Sequence, residues 1–192
     1  IPTAGIGSRL GTLTKNINKA LLPVGTKPAI SFIIDWYPTT FKFIIALGYK
    51  AGVIKNYFAS YHLGQNDYTV NLSSGETTFR NQGDLDWNVT MVDTGLDTMT
   101  GGRIKRLTEY LKDETFLLTY GDGISDVNIE ELVKQHKSNK KIVTLTAVRP
   151  TARFGELEIK ENLVTSFQEK SQLKQGWING GFFVCEPALL EY

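Results

Sequence analysis

Short, almost entirely apolar runs that stop at glycine or polar residues most constrain how this chain folds. Phe41–Leu47 stops at Gly48, Glu114–Tyr120 stops at Gly121, and Lys141–Val148 is a further run of this kind. Such runs, without polar alternation, are typical of strands buried on both faces of a parallel sheet. Segments with helical spacing of apolar residues separate them: Ala29–Tyr37, Gly52–Tyr61, Arg103–Leu111 and Ile129–Lys137. The order predicts strand–helix crossover units around a parallel sheet.

Other segments have a more polar strand pattern. Asp67–Leu72 and Trp87–Asp93 have the residue types of half-buried strands, and the stretch between them, Ser73–Asp86, is polar and has no periodicity. We interpret Ser73–Asp86 as a long excursion, either functional or disordered. Glu156–Ile159 and Val164–Phe167 alternate as neighbouring strands do, and they predict a small antiparallel extension of the sheet.

Length, charge and cysteine content limit the class of protein. The chain has 192 residues, 41% of them hydrophobic, which suits one substantial core and a single domain. A net charge of +1 argues against a polynucleotide partner, so an anionic ligand should be small. We interpret the lone Cys185, flanked by apolar residues, as packed core in a reducing compartment. No apolar run approaches the roughly 20 residues that span a bilayer, so we expect a cytoplasmic protein with no membrane partner.

The two ends of the sequence look like interrupted secondary-structure elements. The chain starts without Met in what looks like the middle of a strand, and it stops inside a predicted helix, Glu186–Tyr192. We therefore expect a polypeptide that is trimmed at both ends.

A glycine-rich stretch near the start is a candidate phosphate-binding loop. Gly5 and Gly7 carry no side chain that would block a close ligand, while Ser8 and Arg9 add a hydroxyl and a cationic fork. Lys19 follows before the next apolar run. The glycine spacing alone is equally compatible with an ordinary tight turn, because the third glycine of the dinucleotide fingerprint is missing.

Asp122 is the strongest candidate for chemistry. It follows a predicted buried strand and is flanked by Gly121 and Gly123, at the sheet edge where open α/β folds bind ligands. A carboxylate there suits Mg²⁺, although an Asp-Gly turn is an equally good reading of these residues alone. We expect Asp126 to cap the following helix and His136 to be solvated near the end of that helix.

The loop before the Arg103–Leu111 helix has two readings of equal weight. Thr98, Thr100 and the amides of Gly101 and Gly102 could donate to a nucleotide at the helix start. Alternatively, Thr100 is only a helix cap.

The glycine-rich stretch near the start, taken with Lys19, resembles the signature of the sugar-1-phosphate nucleotidylyltransferases. That signature runs G-x-G-[ST]-R-[LM], a spacer, then Pro-Lys-x-x-[LV]-Pro-[VI]-x-x-[KR]-Pro, and it is matched by Gly5–Leu10 and Lys19–Pro28. Asn18 stands where the family usually has Pro, so we expect a less stiff loop.

Two later blocks extend the resemblance over nearly the whole chain. Trp87–Gly95 with Met99–Arg106 resembles the CTP-using branch of the family. Phe167–Lys170 with Trp177–Val184 resembles its sugar-1-phosphate site. The resemblance implies a doubly wound, mixed, mostly parallel Rossmann-like α/β sheet, with a nucleotide half of about residues 1–125 and a sugar-phosphate half of about 126–192. The antiparallel extension would cover the sugar side.

The resemblance also implies residue roles. Arg9, Lys19 and Asp122 would be catalytic, with Asp122 holding Mg²⁺ as the cofactor. The expected nucleotide-binding residues are Thr3, Ala4, Gly5, Ile6, Gly7, Ser8, Arg9, Lys19, Thr98, Arg103 and Gly121. The expected sugar-phosphate-binding residues are Glu169, Lys170, Asn179 and Gly180.

The implied reaction is Mg²⁺-dependent, in-line transfer of a cytidylyl group from CTP to glucose 1-phosphate, with release of pyrophosphate. The expected partners are CTP, a hexose 1-phosphate and further copies of the chain in a homo-oligomer. A UTP-, dTTP- or phosphocholine-using relative stays open, as does a non-catalytic regulatory one. Family members carry a second metal-binding aspartate nearer the carboxyl end, beyond the position of Tyr192.

Overall fold

The computed structural model describes residues 1–3, 5, 8–80, 87–150, 156–168 and 176–192, apart from the side chains of residues 8, 9, 156–158, 167 and 168. The α-helices are α1 Ala29–Asp35, α2 Ala51–Ala59, α3 Tyr61–Gln65, α4 Thr100–Lys105, α5 Thr108–Leu111 and α6 Ile129–Asn139. The longer strands are β3 Lys42–Leu47, β6 Asn88–Asp93, β7 Phe116–Thr119, β8 Val143–Val148, β9 Glu156–Lys160, β10 Leu163–Gln168 and β11 Ile178–Cys185. The short strands are β1 Pro23–Val24, β2 Lys27–Pro28, β4 Tyr68–Val70 and β5 Thr77–Phe79, and the 3-10 turns are Ser8–Thr14, Lys19–Leu21 and Pro187–Glu191.

Two groups of strands flank the amino-terminal segment. β3 pairs in parallel with β6 over its whole length, and β11 lies antiparallel between β7 and β8. Pro2 forms a parallel bridge to Ala46 of β3, and the N–H of Gly121, just after β7, donates to Pro2 O at 3.1 Å. The segment thus ties the end of β3 to the end of β7, and the carboxyl ends of both strands face the same region.

Apolar residues cover both faces of this arrangement. The larger core joins Ile30 and Ile34 of α1 and Ile54 of α2 to Ile45 and Leu47 of β3, and all of these are fully buried. In the other group of strands, successive side chains of β11 lie on opposite faces of the sheet. Phe183 and Cys185 pack with residues of α4, α5 and β7, whereas Phe182 and Val184 pack with residues of α6. Helices therefore lie on both faces of β11, which confirms the doubly wound α/β class.

Two predicted helices are broken in the structure. The Gly52–Tyr61 helix is α2 followed by α3, and the break is at Ser60, whose hydroxyl donates to Asn56 O at 2.6 Å. Serine back-bonding of this kind bends helices. The Arg103–Leu111 helix is α4 followed by α5, and it begins earlier, at Thr100. The Glu186–Tyr192 segment is a 3-10 turn rather than an α-helix.

Part of the predicted excursion belongs to a hairpin, since β5 lies within Ser73–Asp86 and β4 lies within the predicted strand Asp67–Leu72. β4 and β5 pair antiparallel, with Val70 opposite Thr77. The turn between them is organised by Asn71, whose Oδ1 accepts hydrogen bonds from the N–H groups of Ser73 and Ser74. The three residues of β5 are too few to show periodicity in a sequence, which explains why this strand was not predicted. Residues 81–86 of the excursion lie outside the described residues.

The expected antiparallel extension is present as the β9–β10 hairpin. Cys185 is 1% exposed, and burial raises the pKa of its thiol to about 11, so its interpretation as packed core is confirmed. Among the described residues, no helix is both long and apolar enough to cross a membrane.

Two predictions around α6 were wrong. The residue that caps α6 is Asn128, whose side chain accepts from Glu131 N at 3.0 Å, and not Asp126. His136 is 1% exposed instead of solvated. Its two ring nitrogens lie 2.8 Å from Thr144 Oγ1 and from Glu186 Oε1, so it joins α6 to β8 and to the segment after β11.

Candidate functional site

Lys19 and Asp122 meet although 103 residues separate them along the chain. Lys19 Nζ donates to Asp122 Oδ2 at 2.6 Å, and the two side chains are 24% and 37% exposed. Lys19 opens the 3-10 turn Lys19–Leu21, and Asp122 follows β7 after Gly121. The turn therefore presents a cation, and the end of β7 presents a carboxylate, at one solvent-accessible place.

The glycine loop reaches the same place at Gly5. A Cβ atom built on Gly5 would lie 2.9 Å from Lys19 Cε and 3.1 Å from its Nζ. Real Cβ atoms are almost never found so close to another heavy atom, so a side chain at position 5 would displace the lysine. The absence of a side chain at Gly5 is what lets the ammonium group lie against the loop.

Gly121 holds the Asp122 loop against the same amino-terminal segment. A Cβ atom there would lie 2.7 Å from Thr3 Cγ2 and 3.3 Å from both Ala20 Cβ and Pro2 O. Thr3 is buried, and its N–H and hydroxyl both donate to Ala46 O, at 3.1 and 3.2 Å. Its hydroxyl is thus engaged within the protein, and a nucleotide contact from Thr3 or Gly121 stays a prediction.

Several expected site residues lie outside the described part of the chain. For Ser8 and Arg9 the structure describes the backbone, in the 3-10 turn Ser8–Thr14, but not the side chains. The other expected site residues that are not described are Ala4, Ile6, Gly7, Glu169 and Lys170. Their roles therefore stay predictions.

Arg103 is a buried residue whose partners are groups of the protein. It is 4% exposed, and its Nη1 and Nη2 atoms donate to the carbonyl oxygens of Leu47, Gly95 and Leu96 and to Thr94 Oγ1, at 2.6 to 3.1 Å. Desolvation, followed by the charge of Arg106, lowers the pKa of Arg103 from its ordinary value. Its direct contact with a nucleotide stays a prediction. In the structure its hydrogen bonds hold the loop after β6 in place.

Thr98 belongs to that loop. A Cβ atom on Gly102 would lie 2.9 Å from Thr98 Cγ2, and one on Gly95 would lie 3.0 Å from Thr98 Oγ1. The half-buried threonine is therefore packed between two glycines. The residue before the helix α4 is Met99, which makes no side-chain cap, so the reading of Thr100 as the cap was wrong.

On the sugar side, Asn179 lies next to the end of β7. Its Nδ2 donates to the hydroxyl of Tyr120 at 3.2 Å, and its Oδ1 accepts from Gly181 N at 2.8 Å. A Cβ atom on Gly180 would come within 2.7 Å of Thr146 Oγ1, so β11 approaches β8 closely there. Tyr120 was missed by sequence reasoning, although its position immediately before Gly121-Asp122 was an available signal.

Asn18 differs in the structure from what its sequence position indicates. Its side chain is fully buried and makes hydrogen bonds to Thr3, Ala20 and Tyr49. The expectation that asparagine makes the loop less stiff is therefore wrong, because these bonds fix the loop. No local sequence pattern indicates these hydrogen bonds, since two of the partners are carbonyl groups of distant segments.

The residues present have limited capacity for a metal. Within the described ranges, no group of three or more His, Cys, Asp or Glu side chains is arranged to hold an ion. Beside Lys19, Asp122 offers a partly exposed carboxylate, which suits Mg²⁺ because that ion is commonly held by one or two carboxylates and substrate phosphates.

Comparison with known proteins agrees with this geometry. A family model described as nucleotidyl transferase matches residues 1–192. Glucose-1-phosphate cytidylyltransferase from Salmonella typhimurium is 43% identical over 194 aligned residues, which cover 100% of this chain and 76% of the relative. A probable glucose-1-phosphate cytidylyltransferase from Bacillus subtilis is 38% identical over 190 residues, or 98% and 74% of the two chains.

Solved structures share the fold. A putative glucose-1-phosphate thymidylyltransferase from Bacillus anthracis aligns with a TM-score of 0.66 at 18% identity, over 100% of this chain and 72% of the other. HddC from Yersinia pseudotuberculosis, in a complex with GMP-PN, aligns with a TM-score of 0.63 at 20% identity, over 100% and 77%. The resemblance read from the glycine loop, Lys19 and Asp122 is confirmed: the chain belongs to the nucleotidyl transferase family.

Proposed function

We propose that this protein transfers a cytidylyl group from CTP to glucose 1-phosphate, giving CDP-glucose and pyrophosphate. The observation that carries the proposal is the 2.6 Å contact between Lys19 and Asp122 beside Gly5. Phosphoryl and nucleotidyl transfer need positioned charge more than covalent help, and this cluster supplies it. The choice of CTP and glucose 1-phosphate is supported by the names of the relatives with 43% and 38% identity.

Lys19 and the glycine loop form the triphosphate-binding part of the proposal. The ammonium group of Lys19 is partly exposed and lies against Gly5, where a phosphate group can approach the backbone without meeting a side chain. Lys19 would neutralise charge on the triphosphate, with Arg9 as the second expected cation. Preorganised charges of this kind are worth most where charge develops during the reaction.

Asp122 is the residue that would hold Mg²⁺. A magnesium ion bound there would supply positive charge next to the α-phosphate during in-line attack. In the structure the Lys19 ammonium group donates a hydrogen bond to Asp122 Oδ2. Nucleotide binding would therefore draw Lys19 toward phosphate and leave the carboxylate for the ion.

Glucose 1-phosphate would lie on the β11 side of Asp122. Asn179 and Tyr120 are hydrogen-bonded to each other there and offer polar groups for a sugar hydroxyl. Glu169 and Lys170 are the further residues expected on that side. Attack by an oxygen of the sugar phosphate on the α-phosphorus then forms the new P–O bond, and the bond to pyrophosphate breaks.

Activity is tested by incubating the full-length natural protein with Mg²⁺, glucose 1-phosphate and CTP, UTP, dTTP or GTP in parallel. Pyrophosphate release is measured by a coupled assay, and the product is identified by mass spectrometry. We expect CDP-glucose, with CTP turned over faster than the other nucleotides. Release from none of the four, with binding retained, would instead indicate a regulatory relative, and preference for UTP or dTTP would overturn the assignment to CTP.

The roles of Lys19 and Asp122 are tested by Lys19→Ala and Asp122→Ala. Loss of either preorganised charge should reduce the turnover rate by about a hundredfold. Lys112→Ala is the matched control, because Lys112 also donates to a carboxylate, Glu109 Oε2, at 2.6 Å, but on the α5 helix. Turnover at the wild-type rate by either site variant would contradict the assigned roles.

A further inference from the structure

The side chain of Asn18 is fully buried next to Lys19 and makes three hydrogen bonds. Its Nδ2 donates to Thr3 O and to Tyr49 O, each at 2.7 Å, and its Oδ1 accepts from Ala20 N at 2.9 Å. The partners also determine the orientation of the amide, since carbonyl groups only accept and an N–H only donates. Both Nδ2 hydrogens are thus used.

These bonds join separate segments at the candidate site. Thr3 begins the glycine loop, Tyr49 follows β3, and Ala20 lies in the turn that carries Lys19. The backbone of Asn18 has φ −71° and ψ 143°, and its side chain caps that turn. One side chain therefore sets the distance between the glycine loop and the residue that must lie against it.

The clearance around Lys19 makes that distance critical. A Cβ atom at Gly5 would already lie 2.9 Å from Lys19 Cε, so the lysine side chain runs close along the loop backbone. A shift of the turn relative to Thr3 would move the ammonium away from Asp122 Oδ2 and from any phosphate bound at the loop. Misplacement of a reacting group by about 1 Å can cost a hundredfold in rate.

We propose that Asn18 is a positioning residue for Lys19, and that the three hydrogen bonds of its side-chain amide hold the turn that carries Lys19 at a fixed place relative to Thr3 and Tyr49. The inference rests on the proposed function for its consequence in turnover, but the position of Lys19 is measurable without any reaction.

Two variants separate the amide from the backbone. Asn18→Asp keeps the shape and the acceptor but removes the donors to Thr3 O and Tyr49 O, and it buries a carboxylate. Asn18→Pro keeps the backbone angle, because proline fixes φ close to the −71° of Asn18, and it removes all three side-chain hydrogen bonds. His136→Ala is the matched control, because it removes another buried, hydrogen-bonded side chain from a distant part of the fold.

The experiment combines two readouts at a temperature where circular dichroism shows every variant folded. The first is the rate of reductive methylation of Lys19, followed by peptide mass spectrometry, and the second is kcat and KM for both substrates. We expect Asn18→Asp and Asn18→Pro to raise the labelling rate of Lys19 severalfold and to lower kcat by about a hundredfold, with a smaller change in KM for glucose 1-phosphate. His136→Ala should change neither readout.

Unchanged Lys19 labelling in the folded Asn18 variants would overturn the inference, and so would raised labelling with wild-type kcat. If the wild-type protein shows no transferase activity, the proposed function fails, but the labelling comparison still decides whether Asn18 positions Lys19. Raised labelling in His136→Ala as well would also overturn the inference, since it would show a general effect of destabilisation.

Discussion

Arg103 shows how much one buried side chain contributes to the shape of the site. Four oxygen atoms of the protein accept hydrogen bonds from its guanidinium group: Leu47 O, Thr94 Oγ1, Gly95 O and Leu96 O. Three of them are backbone carbonyls, and burying such groups without a donor is costly. Arg103 thereby fixes the loop after β6 to the end of β3.

Replacement of Arg103 by alanine should lower the free energy of unfolding by about 3 kcal/mol, because buried carbonyl groups lose their donors. Urea denaturation measures this loss, with Lys112→Ala as the control that should remain near wild type. A variant of unchanged stability that has lost CTP binding would contradict this account and would favour direct contact with the nucleotide.

Single residues differ in how far their roles can be predicted from the sequence. Lys19 and Asp122 were identified because they stand in local patterns, next to a glycine loop and at the end of an apolar run. His136 and Asn18 were misread because their partners lie far along the chain, and burial of a polar side chain depends on the finished fold. The resemblance assigned Arg103 to the nucleotide, whereas its observed partners are groups of the protein.

At the scale of elements, the loop after β7 is held to the amino-terminal segment by close packing at Gly121. A methyl group there would lie 2.7 Å from Thr3 Cγ2 and 3.3 Å from the backbone oxygen of Pro2. Gly123, on the other side of Asp122, has open space around the position of a Cβ atom. The two glycines thus differ in what they allow, although they look alike in the sequence.

The Gly121→Ala and Gly123→Ala variants test this packing. We expect Gly121→Ala to lower the free energy of unfolding by about 2 kcal/mol, within the range for overpacked sites, and Gly123→Ala to change it little. Thermal denaturation compares the two directly. Equal stabilities would show that the loop can move away from Thr3 without cost.

The elements α6, β8 and the segment after β11 are joined by His136 and Glu186. Hydrogen bonds from His136, and then from Thr115, lower the pKa of Glu186 from its ordinary 4.5. A carboxylate whose pKa is lower in the folded state stabilises the fold above the unfolded-state pKa, and this contribution is lost as the pH falls through the lowered value.

His136→Ala should cost about 2 kcal/mol of folding free energy at pH 7, since it removes a buried side chain and its hydrogen bonds. Glu186→Gln should also be less stable than wild type at pH 7. The difference between Glu186→Gln and wild type should shrink below about pH 4.5, where the carboxylate begins to be protonated in the unfolded state. Urea denaturation at pH 7 and pH 4 measures both effects, and a difference that grows at pH 4 would contradict them.

At the scale of the whole molecule, the alternation of buried strands and helices as far as β8 was predictable because it depends on hydrophobic periodicity, which is local. The antiparallel position of β11 between β7 and β8 was not predicted, because strand pairing joins segments that are distant along the chain. The exact limits of helices were not, as Ser60 shows, since a hydroxyl group that bonds to the backbone leaves no periodic signal. The short strand β5 of the β4–β5 hairpin was missed because three residues are too few to show periodicity. Assembly into a homo-oligomer stays a prediction.

The central claim is that the glycine loop, Lys19 and Asp122 form one site for a nucleotide and its metal ion. Thermal stabilisation by CTP, with and without Mg²⁺, tests it most directly in wild type, Asp122→Ala and the Lys112→Ala control. At about 100 times the dissociation constant, CTP with Mg²⁺ should stabilise wild type and the control by roughly 2.7 kcal/mol. Asp122→Ala should lose the part of this stabilisation that depends on Mg²⁺. A Mg²⁺-dependent stabilisation of Asp122→Ala equal to that of wild type would contradict the proposed site.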